Sequence, residues 1–220
     1  SIATNGSFYS IAVMDNNNYA LVYFESGNIN IRKVDFNGVS TLTLPAGGSA
    51  SFTGTAPEAV GIDASNIAIV YNVGTTSYIN YYNWTGSAWV GGTPFMMLAT
   101  SNYPSIAKLS STKFAVSTLF TGPSTEKAIL FDYTFSGSAF TEVNQVDWYY
   151  TGSSDILAAP YVASIDDGSY FAVMRVTIDS IGERKSIACR FTSAYNKSGY
   201  EFTFEEHQGG SRDLLKLNNN

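Results

Sequence analysis

Few residues of this chain carry the side chains that catalysis usually requires. The sequence contains one histidine, His207, and one cysteine, Cys189. A histidine-based triad or zinc site needs its histidine near the centre of the fold, whereas His207 lies in the C-terminal stretch. Cys189 lies within a predicted strand, so we expect a small buried side chain. With no P-loop and no dinucleotide fingerprint, the sequence predicts no catalytic residue, no metal site and no cofactor.

Carboxylates are the remaining route to catalysis, because paired acids hydrolyse glycosides. Asp147 and Asp155 lie in a segment that connects two repeats, and they support an alternative function as a glycoside-processing enzyme. Asp15 and Asp63, by contrast, recur at one repeat position, where the third repeat has Ser110 and the fourth has Asp167. We interpret that position as turn-forming, because short oxygen-bearing side chains hydrogen-bond to the backbone of a turn.

Aromatic residues are the better candidates for ligand binding. Aromatic faces beside a carboxylate suit sugar rings, which stack on them and donate hydroxyl hydrogen bonds. The run 148–150 combines three aromatic side chains between two repeats. An alternative is that these aromatics close the gap between the third and fourth repeats. The predicted ligand-binding residues are Trp148, Tyr149, Tyr150, Tyr103, Asp155 and Arg184.

A fourfold repeat must position these side chains. Related hairpins occur at residues 9–23, 57–71, 103–118 and 160–174, and they align on four alanines in their second strands. These anchor alanines, Ala20, Ala68, Ala115 and Ala172, recur about every 50 residues, which is the period of propellers and arrays. Two further apolar runs follow each hairpin, and four short strands per repeat are typical of a propeller blade.

The sequence therefore predicts an all-β fold, a small β-propeller of four four-stranded antiparallel blades. A β-sandwich and part of a larger propeller are the alternatives. The whole chain, 1–220, is predicted to be one propeller domain, with repeats at about 9–56, 57–103, 104–159 and 160–207 and a tail at 208–220.

Charge narrows the range of partners. The net charge is −6, and a nucleic-acid-binding protein would normally show a basic stripe, so we expect no nucleic-acid partner. No apolar run is long enough to cross a bilayer, so we expect no membrane insertion.

The third repeat carries a resemblance. Its residues Ser111-Thr112-Lys113-Phe114-Ala115-Val116, which follow Pro104-Ser105-Ile106-Ala107, resemble degenerate propeller repeats of bacterial surface proteins and of virus or phage spike and fibre proteins. The resemblance implies receptor recognition and host attachment from an extracellular or virion surface. It also implies that the termini contact other virion or surface proteins.

Three functions follow from these observations. The first is a non-catalytic surface-recognition module that binds a glycan or protein receptor. The second is the glycoside-processing enzyme, and the third is a structural assembly module without a ligand.

Overall fold

A computed structural model describes residues 7–122, 125–150, 155–157, 160–165, 170–178, 183–191 and 197–205. These residues form nineteen strands and no helix, and the strands belong to four antiparallel sheets. No helix that could cross a membrane is found in this described part of the chain. The predicted all-β, propeller-like fold is confirmed, and four successive sheets exclude the two-sheet sandwich. Part of a larger propeller stays a prediction.

The strands follow one another through the sheets in chain order. The first sheet contains β1 (Ser7–Val13), β2 (Asn18–Glu25), β3 (Asn28–Phe36), β4 (Leu42–Thr43) and β5 (Ser49–Thr53). The second contains β6 (Thr55–Gly61), β7 (Asn66–Val73), β8 (Thr76–Trp84), β9 (Trp89–Gly91) and β10 (Phe95–Ala99). The third contains β11 (Ser101–Lys108), β12 (Lys113–Thr121), β13 (Glu126–Phe135) and β14 (Phe140–Tyr150). The fourth contains β15 (Asp155–Leu157), β16 (Tyr161–Ser164), β17 (Tyr170–Ile178), β18 (Glu183–Phe191) and β19 (Lys197–Glu205).

Each sheet is a meander, but not every blade has four unbroken strands. The fourth position of the first sheet is shared by β4 and β5, which both pair with β3. In the second sheet β9 and β10 both pair with β8, and in the fourth β15 and β16 both pair with β17. The sheets begin at Ser7, Thr55, Ser101 and Asp155, a few residues before the repeat boundaries drawn on the sequence.

The predicted hairpins and their alignment are confirmed. All four anchor alanines are fully buried, and they lie in β2, β7, β12 and β17, the second strands of the predicted hairpins. Strands β7 and β12 are buried at six consecutive positions. Burial of consecutive residues means burial on both faces, because side chains alternate along a strand. Neighbouring sheets must therefore cover both faces of these strands.

Apolar clusters between consecutive sheets supply that cover. One cluster joins the first and second sheets and includes Ile31 and Ile69. A second joins the second and third sheets and includes Val70 and Phe131. A third joins the third and fourth sheets and includes Phe191. Full burial of each such side chain contributes roughly 2 kcal/mol to folding, so packing between sheets holds the chain together.

The turns between first and second strands confirm the interpretation of the recurrent aspartates. A side-chain oxygen of Asp15, Asp63 and Ser110 accepts hydrogen bonds from the main-chain N–H groups two and three residues later, at 2.8 to 3.3 Å. These bonds lower the pKa of Asp15, with the Asn17 N–H as the largest cause. Asp167 lies outside the described residues. The position stabilises a turn at the three places where it is seen.

The turns between third and fourth strands require glycine. Gly86 and Gly137 both have φ of +92°, a conformation that L side chains rarely adopt. Each glycine lies between two aromatic residues that contact each other, with ring centroids 5.5 Å apart in the second sheet and 5.0 Å apart in the third. The glycine closes the turn and lets the two aromatics pack.

Candidate functional site

All six predicted binding residues lie at the same end of the third and fourth sheets. We call this the entry end: the end where first strands begin and where second strands turn into third strands. In the third sheet, Tyr149 pairs with Ala128, and Tyr150 pairs with Lys127. In the fourth sheet, Asp155 pairs with Ile178, and Arg184 pairs with Thr177. The fold therefore brings the predicted residues to one end through backbone register.

The run 148–150 and Asp155 were predicted to lie in a segment that connects two repeats, but they lie in strands. Tyr103 is part of β11, Asp155 is part of β15 and Arg184 is part of β18. The run 148–150 forms the end of β14, which is eleven residues long and contains two bulges opposite β13. Aromatic residues favour strands, and the bulges let β14 continue along β13. The predicted residues thus lie within strands, close to the strand ends.

Trp148 lies in the core, although it was predicted to contact a ligand. Its side chain is only 4% exposed. The indole Nε1 donates a hydrogen bond to Ser117 Oγ at 3.3 Å, and the ring meets Phe191 edge to face with centroids 6.2 Å apart. Trp148 shares an apolar cluster with Val162 and Cys189 of the fourth sheet. In this structure Trp148 packs the third sheet against the fourth, and its ring faces no solvent.

Tyr103 is exposed, and its backbone is unusual. The side chain is 48% exposed and φ is +53°, which is rare for a bulky residue. Ala56, at the equivalent position of the second sheet, has φ of +48°, and a proline and a register shift follow both residues. Because the conformation recurs, it belongs to the bulge of the repeat and is not specific to one site.

A buried polar network fixes the backbone of Tyr103. The Asn72 side chain accepts a hydrogen bond from the Tyr103 N–H at 3.1 Å. Its amide donates to the Ser101 carbonyl at 2.8 Å and to Ser77 Oγ at 2.9 Å. Thr118 Oγ1 donates to the carbonyl of the residue before Tyr103 at 3.0 Å. All four side chains of this network are buried. The exposed Tyr103 side chain therefore extends from a backbone that buried hydrogen bonds hold in place.

No sequence motif predicted this network. Its signals are single polar residues in otherwise apolar strands, such as Asn72 near the end of β7. An amide near a strand end is typical of a turn, and its burial becomes visible only when the next sheet packs against it.

Asp147, one of the two candidate catalytic carboxylates, forms an ion pair. Lys127 Nζ lies 2.7 Å from Asp147 Oδ2, and both side chains are partly exposed. Exposed pairs of this kind contribute about 0–1 kcal/mol to stability. The side chains of Asp155, Tyr149, Tyr150 and Arg184 lie outside what the structure describes. Within the described ranges, no group of three or more His, Cys, Asp or Glu side chains could hold a metal ion.

Cys189 and His207 were the candidates for a catalytic nucleophile and a catalytic histidine. Cys189 is fully buried, as predicted. His207 and the tail lie outside the described residues.

Comparison with known proteins gives little beyond this geometry. No family model and no curated protein matches the sequence. Among solved structures, a protein from Lactobacillus plantarum is 11% identical, with a TM-score of 0.42, covering 89% of this chain and 69% of that one. One from a study of two prolyl endopeptidases is 12% identical, with a TM-score of 0.40; the match covers 94% of this chain but only 31% of that protein. Similarity at this level carries no functional argument.

Proposed function

We propose that this protein is a non-catalytic surface-recognition module that binds a glycan or protein receptor at the entry end of its third and fourth sheets. The observation that carries the proposal is the exposed Tyr103 side chain, whose main-chain N–H donates a hydrogen bond to the buried network around Asn72. The backbone register places Tyr149, Asp155 and Arg184 at the same end. Display on a virion or cell exterior, with host attachment as the outcome, is part of the same proposal.

The chemistry of this end suits recognition. A tyrosine offers a flat apolar face for a sugar ring or an apolar side chain, and its hydroxyl group both donates and accepts hydrogen bonds. A residue whose backbone is already fixed loses less conformational entropy on binding than one in a mobile loop. Rigid strands position such a residue more accurately than loops do.

The glycoside-processing enzyme and the structural assembly module are the two alternative proposals, and each would use different residues. A glycoside-processing enzyme would use Asp147 and Asp155, but Lys127 already engages Asp147 in an ion pair. A structural assembly module would use only contacts with other proteins of a particle. The recognition module is favoured because the buried network supports an exposed aromatic ring.

A glycan-array screen of the purified chain tests the proposal. The informative variant is Tyr103→Asn, because asparagine tolerates positive φ and removes the ring without straining the backbone. Val39→Asn is the matched control, since Val39 is 83% exposed in a turn at the opposite end. Binding that Tyr103→Asn loses and Val39→Asn keeps would support the recognition site.

Parallel assays separate the alternatives. Release of reducing sugar from bound glycans, abolished in an Asp147→Asn/Asp155→Asn variant, would favour the enzyme and contradict the proposal. If the folded chain binds no glycan and no receptor-bearing cell, the assembly module takes its place.

A further inference from the structure

The outward face of the first sheet exposes a row of apolar side chains. Tyr9, Ile11 and Val13 alternate along β1 and are 53%, 65% and 59% exposed. The residues between them face the other way; Ala12, for example, is fully buried with the second sheet. We call the exposed row the first-sheet face.

The equivalent rows of the next two sheets are buried. Ala59 and Ile106, which occupy the repeat position of Ile11, are 4% and 2% exposed. Gly61 occupies the position of Val13, and a Cβ added to it would lie 1.8 Å from the Val13 carbonyl oxygen. In each case the preceding sheet covers the row. Ile11 and Val13 of the first-sheet face occupy the same repeat positions, and in the described part of the chain no sheet covers these two side chains in this way.

One repeat position makes hydrogen bonds across each interface between consecutive sheets. It is the residue ten positions before the anchor alanine: Ser10, Glu58 and Ser105. The side-chain oxygen of each residue accepts a hydrogen bond from a main-chain N–H group in the next sheet. The donors are Ala59 at 3.0 Å, Ile106 at 3.4 Å and Val162 at 3.2 Å. The covering sheet therefore brings an acceptor to this place.

The fourth sheet has no such acceptor. Its residue at this position is Val162, whose side chain cannot accept a hydrogen bond. A fourth sheet, from the same chain or from a second copy, would cover the first-sheet face without the bond that the other three interfaces share.

We propose that the first-sheet face is the docking surface for a further antiparallel sheet of the same repeat, one that carries a hydroxyl or carboxylate at the position of Ser10. The three interfaces within the chain define its chemistry: a small-residue first strand, an apolar second strand and an acceptor for the main chain near Ile11. The partner is thus a fifth blade.

Thiol labelling tests this proposal in the full chain. Ile11→Cys places a thiol on the first-sheet face, and buried Cys189 serves as the internal slow reference. Val39→Cys gives an exposed thiol elsewhere. The added blade is a second copy of residues 55–99, which contain no cysteine, fused to the N-terminus of the chain. Two versions are compared: one unchanged and one with Glu58→Val in the added copy. A tether raises the local concentration of the added blade enough to detect weak docking.

In the unfused chain we expect Ile11→Cys to react roughly 100-fold faster than Cys189, because only local or global opening exposes the latter. The unchanged added blade should slow labelling at position 11 by about tenfold or more, with no change at Val39→Cys. The added blade with Glu58→Val should protect position 11 less, because it lacks the acceptor.

Three results would overturn the proposal. Labelling of Ile11→Cys as slow as that of Cys189 in the unfused chain would mean that the face is already covered. If both added blades protect Ile11→Cys equally, or if neither protects it, the acceptor plays no part in docking. Protection of the unfused chain that grows with protein concentration would identify a second copy as the occupant.

Discussion

Replacing Asn72 with alanine should destabilise the protein more than any exposed substitution near Tyr103. Asn72 is buried and makes three hydrogen bonds, to Tyr103, Ser101 and Ser77, all between 2.8 and 3.1 Å. A net contribution of about 1 kcal/mol for each bond predicts a loss of about 3 kcal/mol in the free energy of unfolding. For a chain of this size, that loss lowers Tm by about 6–12 °C.

The control for Asn72→Ala is Asn102→Ala. Asn102 is half-buried next to Tyr103, and its amide makes one long hydrogen bond of 3.5 Å to Thr121. This variant should lose less than about 1 kcal/mol. Urea and thermal unfolding measure stability, and hydrogen exchange of the Tyr103 amide should accelerate only in Asn72→Ala. Equal, small losses in both variants, with unchanged exchange at Tyr103, would refute the idea that the network holds the site.

Three further predictions concern the fold. Asp63→Ser should leave stability nearly unchanged, because Ser110 makes the same turn bonds in the third repeat, whereas Asp63→Ala should lose about 1 kcal/mol in urea unfolding. Trp148→Ala should lose about 4 kcal/mol, since it empties a core site, and Trp148→Phe should lose less; equal losses would contradict the packing role. Burial, with a smaller effect of Tyr78, raises the pKa of Tyr71 from 10 to about 12. Tyrosine in the unfolded chain therefore loses its proton first, and Tyr71 alone should lower stability between pH 10 and 12 by up to ~3 kcal/mol. Burial also raises the pKa of Tyr82 and Tyr133, so the total fall is larger and Tyr71→Phe should reduce it by the Tyr71 share.

The repeat made the architecture predictable from sequence. The anchor alanines located the second strands, and Asp15, Asp63 and Ser110 located the turns, because both depend on local backbone chemistry. The end of β14 was harder to predict, since its length depends on bulges that β13 accommodates.

The sequence allowed the candidate residues to be grouped, but it did not reveal which of them are buried. Backbone register brings the predicted residues to the entry end, yet burial separates Trp148 from Tyr103. That separation depends on Phe191, which lies more than forty residues further along the chain and packs on Trp148. Likewise, Ile11 and Ile106 share one repeat position and differ only in whether a sheet precedes theirs. Whether a neighbouring sheet buries a side chain cannot be predicted from the residues next to it in the sequence.

The most direct test of the central claim is the affinity of Tyr103→Asn, relative to the unsubstituted chain and Val39→Asn, for glycan or receptor-bearing surfaces measured by surface plasmon resonance. Recognition through the entry end predicts an affinity about tenfold weaker for Tyr103→Asn, which corresponds to the loss of about 1.4 kcal/mol of aromatic contact, and an unchanged affinity for Val39→Asn. Equal affinity of all three proteins would contradict recognition at the entry end.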